Sequence, residues 1–253
     1  MCNAGMSSET RSAIVTGASG GIGSAIAAML HEEGFEVTLV GRDPAKLDAV
    51  ASAMSAQSGP PVYTLSGSLA DEAFLDRIVD EHTARHGSLD LLVNNAGVAG
   101  NRAVGDITAD FLDEQLAVNI RAVILLTSKS LPLFKDAVQQ HKSAQIVNIA
   151  SNAGKRGEAT LASYSATKFA VVGFTESLHD ELSTSGIKAT AICPGLVNTP
   201  MADDYRDSVN AENMIAPSDI AEAIRMTVRV SRSCVVPEIV LLRPIEWRQP
   251  EGA

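Results

Sequence analysis

The chain has 253 residues, 45% of them hydrophobic and 20% charged, enough apolar material for one large domain whose core needs neither disulfides nor a metal. A formal charge of −10 argues against nucleic acid or an anionic membrane surface as a partner, because phosphate binding needs clustered Lys and Arg. Cys2, Cys193 and Cys234 are far apart, with neither paired nor metal-knuckle spacing, which suits a reducing compartment, most simply the cytoplasm.

Residues 1–11 are polar and read as a flexible tail, with no basic start, apolar core or cleavage pattern. No apolar run approaches the roughly 18 residues of a membrane span, so no membrane association is expected. Residues 12–253 form the expected single domain. Ser12 to Thr16 reads as a short buried strand that runs into Gly17-Ala18-Ser19-Gly20-Gly21-Ile22-Gly23 and then into a helical pattern from Ser24 to Glu33. A glycine loop between strand and helix lets backbone N–H groups approach a diphosphate at the positive end of the helix. In isolation the loop would be a structural turn; in this context it indicates nucleotide binding.

The second strand, Phe35 to Val40, exits through Gly41-Arg42-Asp43-Pro44. In dinucleotide folds an acid at this exit accepts from a ribose 2′-hydroxyl, whereas an arginine pairs with a 2′-phosphate. Gly41 removes the acid and Arg42 adds a cation, favouring NADP(H) over NAD(H); the alternative is that Arg42 merely pairs with Asp43. A helix from Pro44 to Gln57, a strand from Val62 to Leu65, a helix from Asp71 to His86 and a strand from Leu89 to Val93 follow, ending in Asn94-Asn95-Ala96-Gly97. His82 and His86 have a spacing that can bind zinc, but with no third ligand in view they read as a solvated helix face.

A helical pattern from Thr108 to Val138 carries Asn119 in its middle and Pro132 in its later turns, where a kink is expected. Asn119 reads as a satisfied core amide or a functional group. Ile146 to Ala150 forms a strand that ends at Ser151, and the next helix carries Tyr164 and Lys168 four residues apart on one face. A phenol with an unperturbed pKa of about 10 is a weak proton carrier at neutral pH unless a cation stabilises the phenolate, and Lys168 stands where it could do so. A solvated helix face would show the same pair. A sixth strand, Lys188 to Cys193, stops at Pro194-Gly195. Residues 198–215 are polar, acidic and aperiodic, as in a mobile cover over a site. A helix from Pro217 and a strand from Val235 to Leu242 complete the alternation, which predicts a doubly wound parallel sheet with helices on both faces.

The ordered motifs TGASGGIG at Thr16 to Gly23, NNAG at Asn94 to Gly97, Asn119, Ser151, Tyr164 with Lys168, and Pro194-Gly195 make the chain resemble the short-chain dehydrogenase/reductase family from Ser12 to about Leu242. The resemblance implies a Rossmann fold with seven strands in the order 3-2-1-4-5-6-7. It implies Tyr164 as catalytic acid/base, Ser151 orienting the substrate oxygen, Lys168 lowering the tyrosine pKa and holding the nicotinamide ribose, and Asn119 holding a water that links Lys168 to solvent. Gly17, Ser19, Gly21, Ile22 and Gly23 would line the diphosphate, and Asn95, Ala96 and Gly97 the adenosine and ribose. Ser68, with Leu69 beside it, stands where members often have an aspartate against adenine. Pro194, Gly195, Val197 and Thr199 would cover the nicotinamide. The C-terminal VPEIVLLRPIEW is similar to a branch of NADP-dependent reductases that includes 3-hydroxy-acid, serine and allo-threonine dehydrogenases. The implied function is hydride transfer between NADP(H) and a small carbonyl or secondary alcohol, most simply a 3-hydroxy acid. Lys155, Arg156 and Arg206 are the cations available for a carboxylate, although surface solvation explains each equally. A 3-oxoacyl reductase acting on an acyl carrier protein or coenzyme A thioester is the alternative enzyme, and a non-catalytic NADPH-binding redox sensor the alternative of another class. Family members commonly assemble as homotetramers or homodimers, and the same is expected here.

Overall fold

A computed structural model describes residues 10–246. Most of the expected tail, with Cys2, and the final Trp of the C-terminal motif lie outside the described residues. Seven parallel strands form one sheet in the order β3-β2-β1-β4-β5-β6-β7. They are β1 (Ser12–Thr16), β2 (Glu36–Gly41), β3 (Val62–Ser66), β4 (Leu91–Asn94), β5 (Ala144–Ile149), β6 (Ile187–Pro194) and β7 (Glu238–Leu241). The helices are α1 (Gly21–Glu32), α2 (Pro44–Ser55), α3 (Glu72–His86), α4 (Ala109–Leu116), α5 (Ala122–His141), α6 (Ala162–Leu182) and α7 (Pro217–Arg229).

The central strands are buried on both faces, which is why they read as continuous apolar runs. Successive residues still point to opposite layers. Ala13 and Val15 of β1 join Ile26 and Leu30 of α1 and Ile220 and Ile224 of α7 in one core. Ile14, between them, joins Phe74 and Ile78 of α3, Phe134 of α5 and Leu178 of α6 in the other. The sheet order reverses between β1 and β4, so the crevice at the carboxyl ends of these strands is where a doubly wound fold binds ligands.

The predicted long helix forms, but not as one rod. A π-helical turn, Ala117–Arg121, separates α4 from α5 and holds Asn119. The axes of Ala109–Lys129 and Leu131–His141 then diverge by 52°, beside Pro132, which has no N–H to bond the preceding turn. Among the described residues no single helix is long and apolar enough to cross a membrane.

His82 departs from expectation. It is fully buried rather than on a solvated face. Its Nε2 lies 3.1 Å from both Ser12 Oγ and the Ser88 carbonyl oxygen, and its Nδ1 3.5 Å from Thr38 Oγ1. Burial holds its pKa down at about 3, so the ring is a neutral tie between α3 and the sheet. Among the described residues no group of three or more His, Cys, Asp or Glu is placed to hold a metal.

Candidate active site

The loops leaving the carboxyl ends of β1 to β6 line one cleft of about 970 Å³. At one end is the glycine loop. Gly17 has φ +67°, and a Cβ there would lie 2.8 Å from Asn95 Nδ2 and 2.9 Å from Ala96 Cα. A Cβ on Gly23 would meet the Gly17 carbonyl oxygen at 2.2 Å, so the loop and α1 can touch only through glycine. Ser19, Gly20, Gly21 and Ile22 face the cleft, and the first-turn N–H groups of α1 have no intrahelical acceptor, which makes this end a cradle for an anion.

Asn95 shapes that loop from behind. Its Nδ2 donates to the Thr16 and Gly17 carbonyl oxygens at 2.9 and 3.2 Å, while its N–H donates to Thr16 Oγ1 at 3.0 Å. Ala96 and Gly97 line the cleft wall beside it. At the exits of β2 and β3, the cleft is bordered by Gly41, Arg42, Lys46, Ser68 and Leu69. Asp43 accepts from the Lys46 N–H at 3.2 Å as the cap of α2, and no ion pair joins it to Arg42 among the described residues. Ser68 Oγ accepts from the Ala70 N–H at 3.3 Å, so its hydroxyl helps form its own turn.

Ser151, Tyr164 and Lys168 converge at the middle of the cleft. Ser151 follows the last residues of β5, and its Oγ donates to Asn152 Oδ1 and accepts from the Ala153 N–H, each at 3.1 Å. Asn152 Nδ2 in turn donates to Glu158 at 2.9 Å. Lys168 Nζ donates to the Ile149 carbonyl oxygen at 2.9 Å and stands 5.6 Å from the centre of the Tyr164 ring. The close pass of α6 over this loop needs Gly154, where a Cβ would lie 2.7 Å from the Lys168 carbonyl oxygen.

The protein groups alone do not lower the tyrosine pKa as the pairing with Lys168 predicted. Burial pushes Tyr164 up to about 12; the nearby Ser151 hydroxyl opposes the rise, and the Glu158 carboxylate adds to it. Burial likewise pulls Lys168 down to about 8. Burial is also the main cause that drives the Cys193 thiol up to about 12, so it is no nucleophile at neutral pH.

Asn119 acts as a clamp. Its Oδ1 accepts from the Val98 N–H at 2.8 Å, and its Nδ2 donates to the Val98 carbonyl oxygen at 2.8 Å and to Thr167 Oγ1 at 3.1 Å. Thr167 Oγ1 donates to the Tyr164 carbonyl oxygen at 2.7 Å, so the π-helical turn, the loop after β4 and the start of α6 are fixed together. Both amide hydrogens of Asn119 are engaged with protein.

Pro194, Gly195, Val197 and Thr199 line the cleft after β6. The cover at 198–215 is folded into two 3₁₀ turns, Pro200–Tyr205 and Ala211–Asn213, and is tied to the loop before it by the Val197–Ile215 bridge. Of the cations considered for a substrate carboxylate, Arg156 lines the cleft. Lys155 pairs instead with Glu238 at 2.8 Å, and Arg206 with Asp203 at 2.6 Å inside the cover's own turn. Four polar residues of this end were not anticipated from sequence: Asn152, Glu158, Arg243 and Glu246. The last two lie beyond β7, where no periodicity marks them.

The crevice, the glycine cradle and the serine-tyrosine-lysine group define a dinucleotide-fold oxidoreductase. The short chain dehydrogenase family profile matches residues 11–210, and the chain belongs to that family. It is 34% identical over 233 residues to an uncharacterized oxidoreductase of Staphylococcus aureus strain USA300, covering 92% of this chain and 96% of that one. Among solved structures it is similar to a 3-ketoacyl-(acyl-carrier-protein) reductase from Brucella melitensis complexed with NADH, with 30% identity, a TM-score of 0.83, and coverage of 93% and 97% of the two chains. A metagenomic short-chain oxidoreductase in complex with NADP matches with 30% identity, a TM-score of 0.80, and coverage of 94% and 99%.

Proposed function

We propose that the protein transfers hydride between NADP(H) and a small carbonyl or secondary alcohol, with a 3-hydroxy acid or similar small molecule as substrate. The observation that carries this reading is the convergence of Ser151, Tyr164 and Lys168 in the cleft that the glycine loop opens. The residues fit a dinucleotide. The unpaired first-turn amides of α1 suit its diphosphate, Arg42 and Lys46 suit a 2′-phosphate, and the Pro194 to Thr199 loop suits the nicotinamide. Such a cofactor supplies hydride chemistry when bound.

The chain's own residues handle the oxygen and its proton. Tyr164, kept protonated by burial, gives its phenolic proton to the oxygen of a carbonyl substrate, and takes one back in the reverse direction. Ser151 orients that oxygen once its hydroxyl turns from Asn152. Lys168, charged below its pKa of about 8, stabilises the negative charge that develops on the phenol as its proton leaves. Arg156, alone of the three cations considered from sequence in lining the cleft, is available to a substrate carboxylate.

The Brucella melitensis neighbour is named for 3-ketoacyl-(acyl-carrier-protein) reduction, which favours a second reading, a 3-oxoacyl thioester substrate. NADP⁺ reduction at alkaline pH against 3-hydroxy acids, serine, allo-threonine and simple secondary alcohols, with NAD⁺ in parallel, tests the first. Turnover of a small hydroxy acid with NADP⁺ is the expected result. Silence there with NADPH-dependent reduction of 3-oxoacyl thioesters transfers support to the second, and NADPH binding with no turnover of either class overturns both.

A further inference from the structure

Glu246 follows the last strand, takes no role from the sequence reading of its C-terminal segment, and is nonetheless at the cleft with its side chain 7% exposed. Its Oε1 accepts from the Leu196 N–H at 3.1 Å, and its Oε2 accepts from the N–H and Nε of Arg243. The neighbouring residue is Gly195. A Cβ there would lie 2.7 Å from the Glu246 carboxyl carbon, so backbone and carboxylate are in direct contact.

The rest of this stretch is tied down as well. The Gly195 N–H donates to the Leu241 carbonyl oxygen at 2.7 Å, the Asn198 N–H to the Ile215 carbonyl oxygen at 2.9 Å, and the Ile215 N–H to the Leu196 carbonyl oxygen at 3.0 Å. Val197 sits between these anchors, 6% exposed, and its own N–H has no protein acceptor among the described residues. A buried amide without an acceptor is costly unless a ligand supplies one. The Val197 N–H shares a peptide plane with the Leu196 carbonyl, which the Ile215 N–H holds, while Glu246 holds the preceding plane through the Leu196 N–H, so the two anchors together fix the Leu196 torsions between those planes.

We infer that Glu246 is a positioning residue for the nicotinamide half of the cofactor: by holding the Leu196 N–H, with Ile215 holding the Leu196 carbonyl, it fixes the Leu196 turn that aims the Val197 N–H at the carboxamide of a bound nicotinamide. This rests on the reading that the Pro194 to Thr199 loop covers that ring. The turn from Arg243 to Glu246 is thereby a working part of the cofactor site.

The test compares two ligands on the intact protein by direct binding: NADPH, and adenosine 2′,5′-bisphosphate, which lacks the nicotinamide half. Glu246→Ala is expected to weaken NADPH about tenfold while leaving the bisphosphate within about twofold. Glu246→Gln keeps an oxygen for the Leu196 N–H and should recover most of the lost affinity. Gly195→Ala, which crowds the carboxylate, should reproduce the selective loss and serves where Glu246→Ala does not fold. Equal weakening of both ligands, or none, overturns the inference while leaving the dinucleotide reading in place. A wild-type protein that binds neither ligand overturns both together.

Discussion

Tyr164 and Arg42 carry the chemistry of the proposal at single positions, and each makes a prediction that packing alone does not. Tyr164 is buried, yet its hydroxyl faces Ser151 and the cleft, so Tyr164→Phe removes a proton donor and almost no contact area. Turnover should fall by at least about a thousandfold, the upper range for loss of a general acid, while NADPH affinity changes by less than about twofold. Parallel loss of NADPH binding, read by fluorescence titration, would make the tyrosine a packing residue. Arg42 is exposed at the cleft edge and without an ion pair among the described residues, and Asp43 is engaged as the cap of α2. Arg42→Ala should therefore raise the Kd for NADPH about tenfold, with Lys46 retaining part of the phosphate contact, and leave NADH unchanged. Equal losses for the two cofactors would remove the 2′-phosphate from the argument. Both residues were legible in the sequence because each stands at a fixed offset from a recognisable strand end or helix pattern. Asn152, Glu158, Arg243 and Glu246 were not, because their roles depend on contacts that chain order does not reveal; Glu246 meets Leu196 fifty residues away.

Among the elements, buried strands and amphipathic helices came through in the sequence because their apolar residues repeat with the period of the backbone. The β-α alternation gave the parallel sheet, while the strand order, which the fold shows, came from the family resemblance. The π-helical turn at Ala117–Arg121 did not, since an extra residue in one turn leaves no mark in an apolar pattern, whereas the bend beside Pro132 did. The turn presents Asn119 between the loop after β4 and α6, and three hydrogen bonds depend on that one side chain. Asn119→Leu keeps the heavy-atom number and branching of the side chain, with bulkier methyl groups, but leaves the Val98 amide and carbonyl without their partners. It should lower the unfolding free energy by about 3 kcal/mol in urea titrations. A loss below about 1 kcal/mol would mean that the loop finds other partners and that Asn119 does not hold these elements together. The helix-face reading of His82 failed for a related reason. A polar residue at helical spacing looks the same whether it faces water or a buried hydroxyl, and Ser12, one of its partners, is seventy residues away.

The whole molecule carries an excess of acid, but its response to pH is set partly by the buried His82, which sits by the amino-terminal end of β1, away from the cleft. His82 holds a pKa of about 3 in the folded chain against 6.5 when unfolded. Between those values the unfolded chain takes up a proton that the folded chain refuses, so stability falls as pH drops from 6.5 toward 3. The groups packed around the ring do not reverse this. His86 is itself pushed down, chiefly by burial, and Arg85 disfavours a charged ring, while Glu36 and Asp90 act mainly through His86. One such group gives a slope of at most about 1.4 kcal/mol per pH unit, or roughly 4 °C in Tm for a domain of this size. Glu33, held down chiefly by its hydrogen bond from Arg229, adds a loss of the same sign only below its ordinary 4.5. Melting curves at pH 7, 6 and 5 stay above the Glu33 range; His86, also held below its ordinary value, adds a loss of the same sign, so His82 is isolated by comparing the wild type with a variant at that position. His82→Gln retains an amide to donate to the Ser88 carbonyl and cannot titrate, so its Tm should decline less steeply over this range than that of the wild type by about the stated slope. Identical slopes for the two proteins would show that the acid sensitivity lies elsewhere and that the ring is not held neutral by its burial.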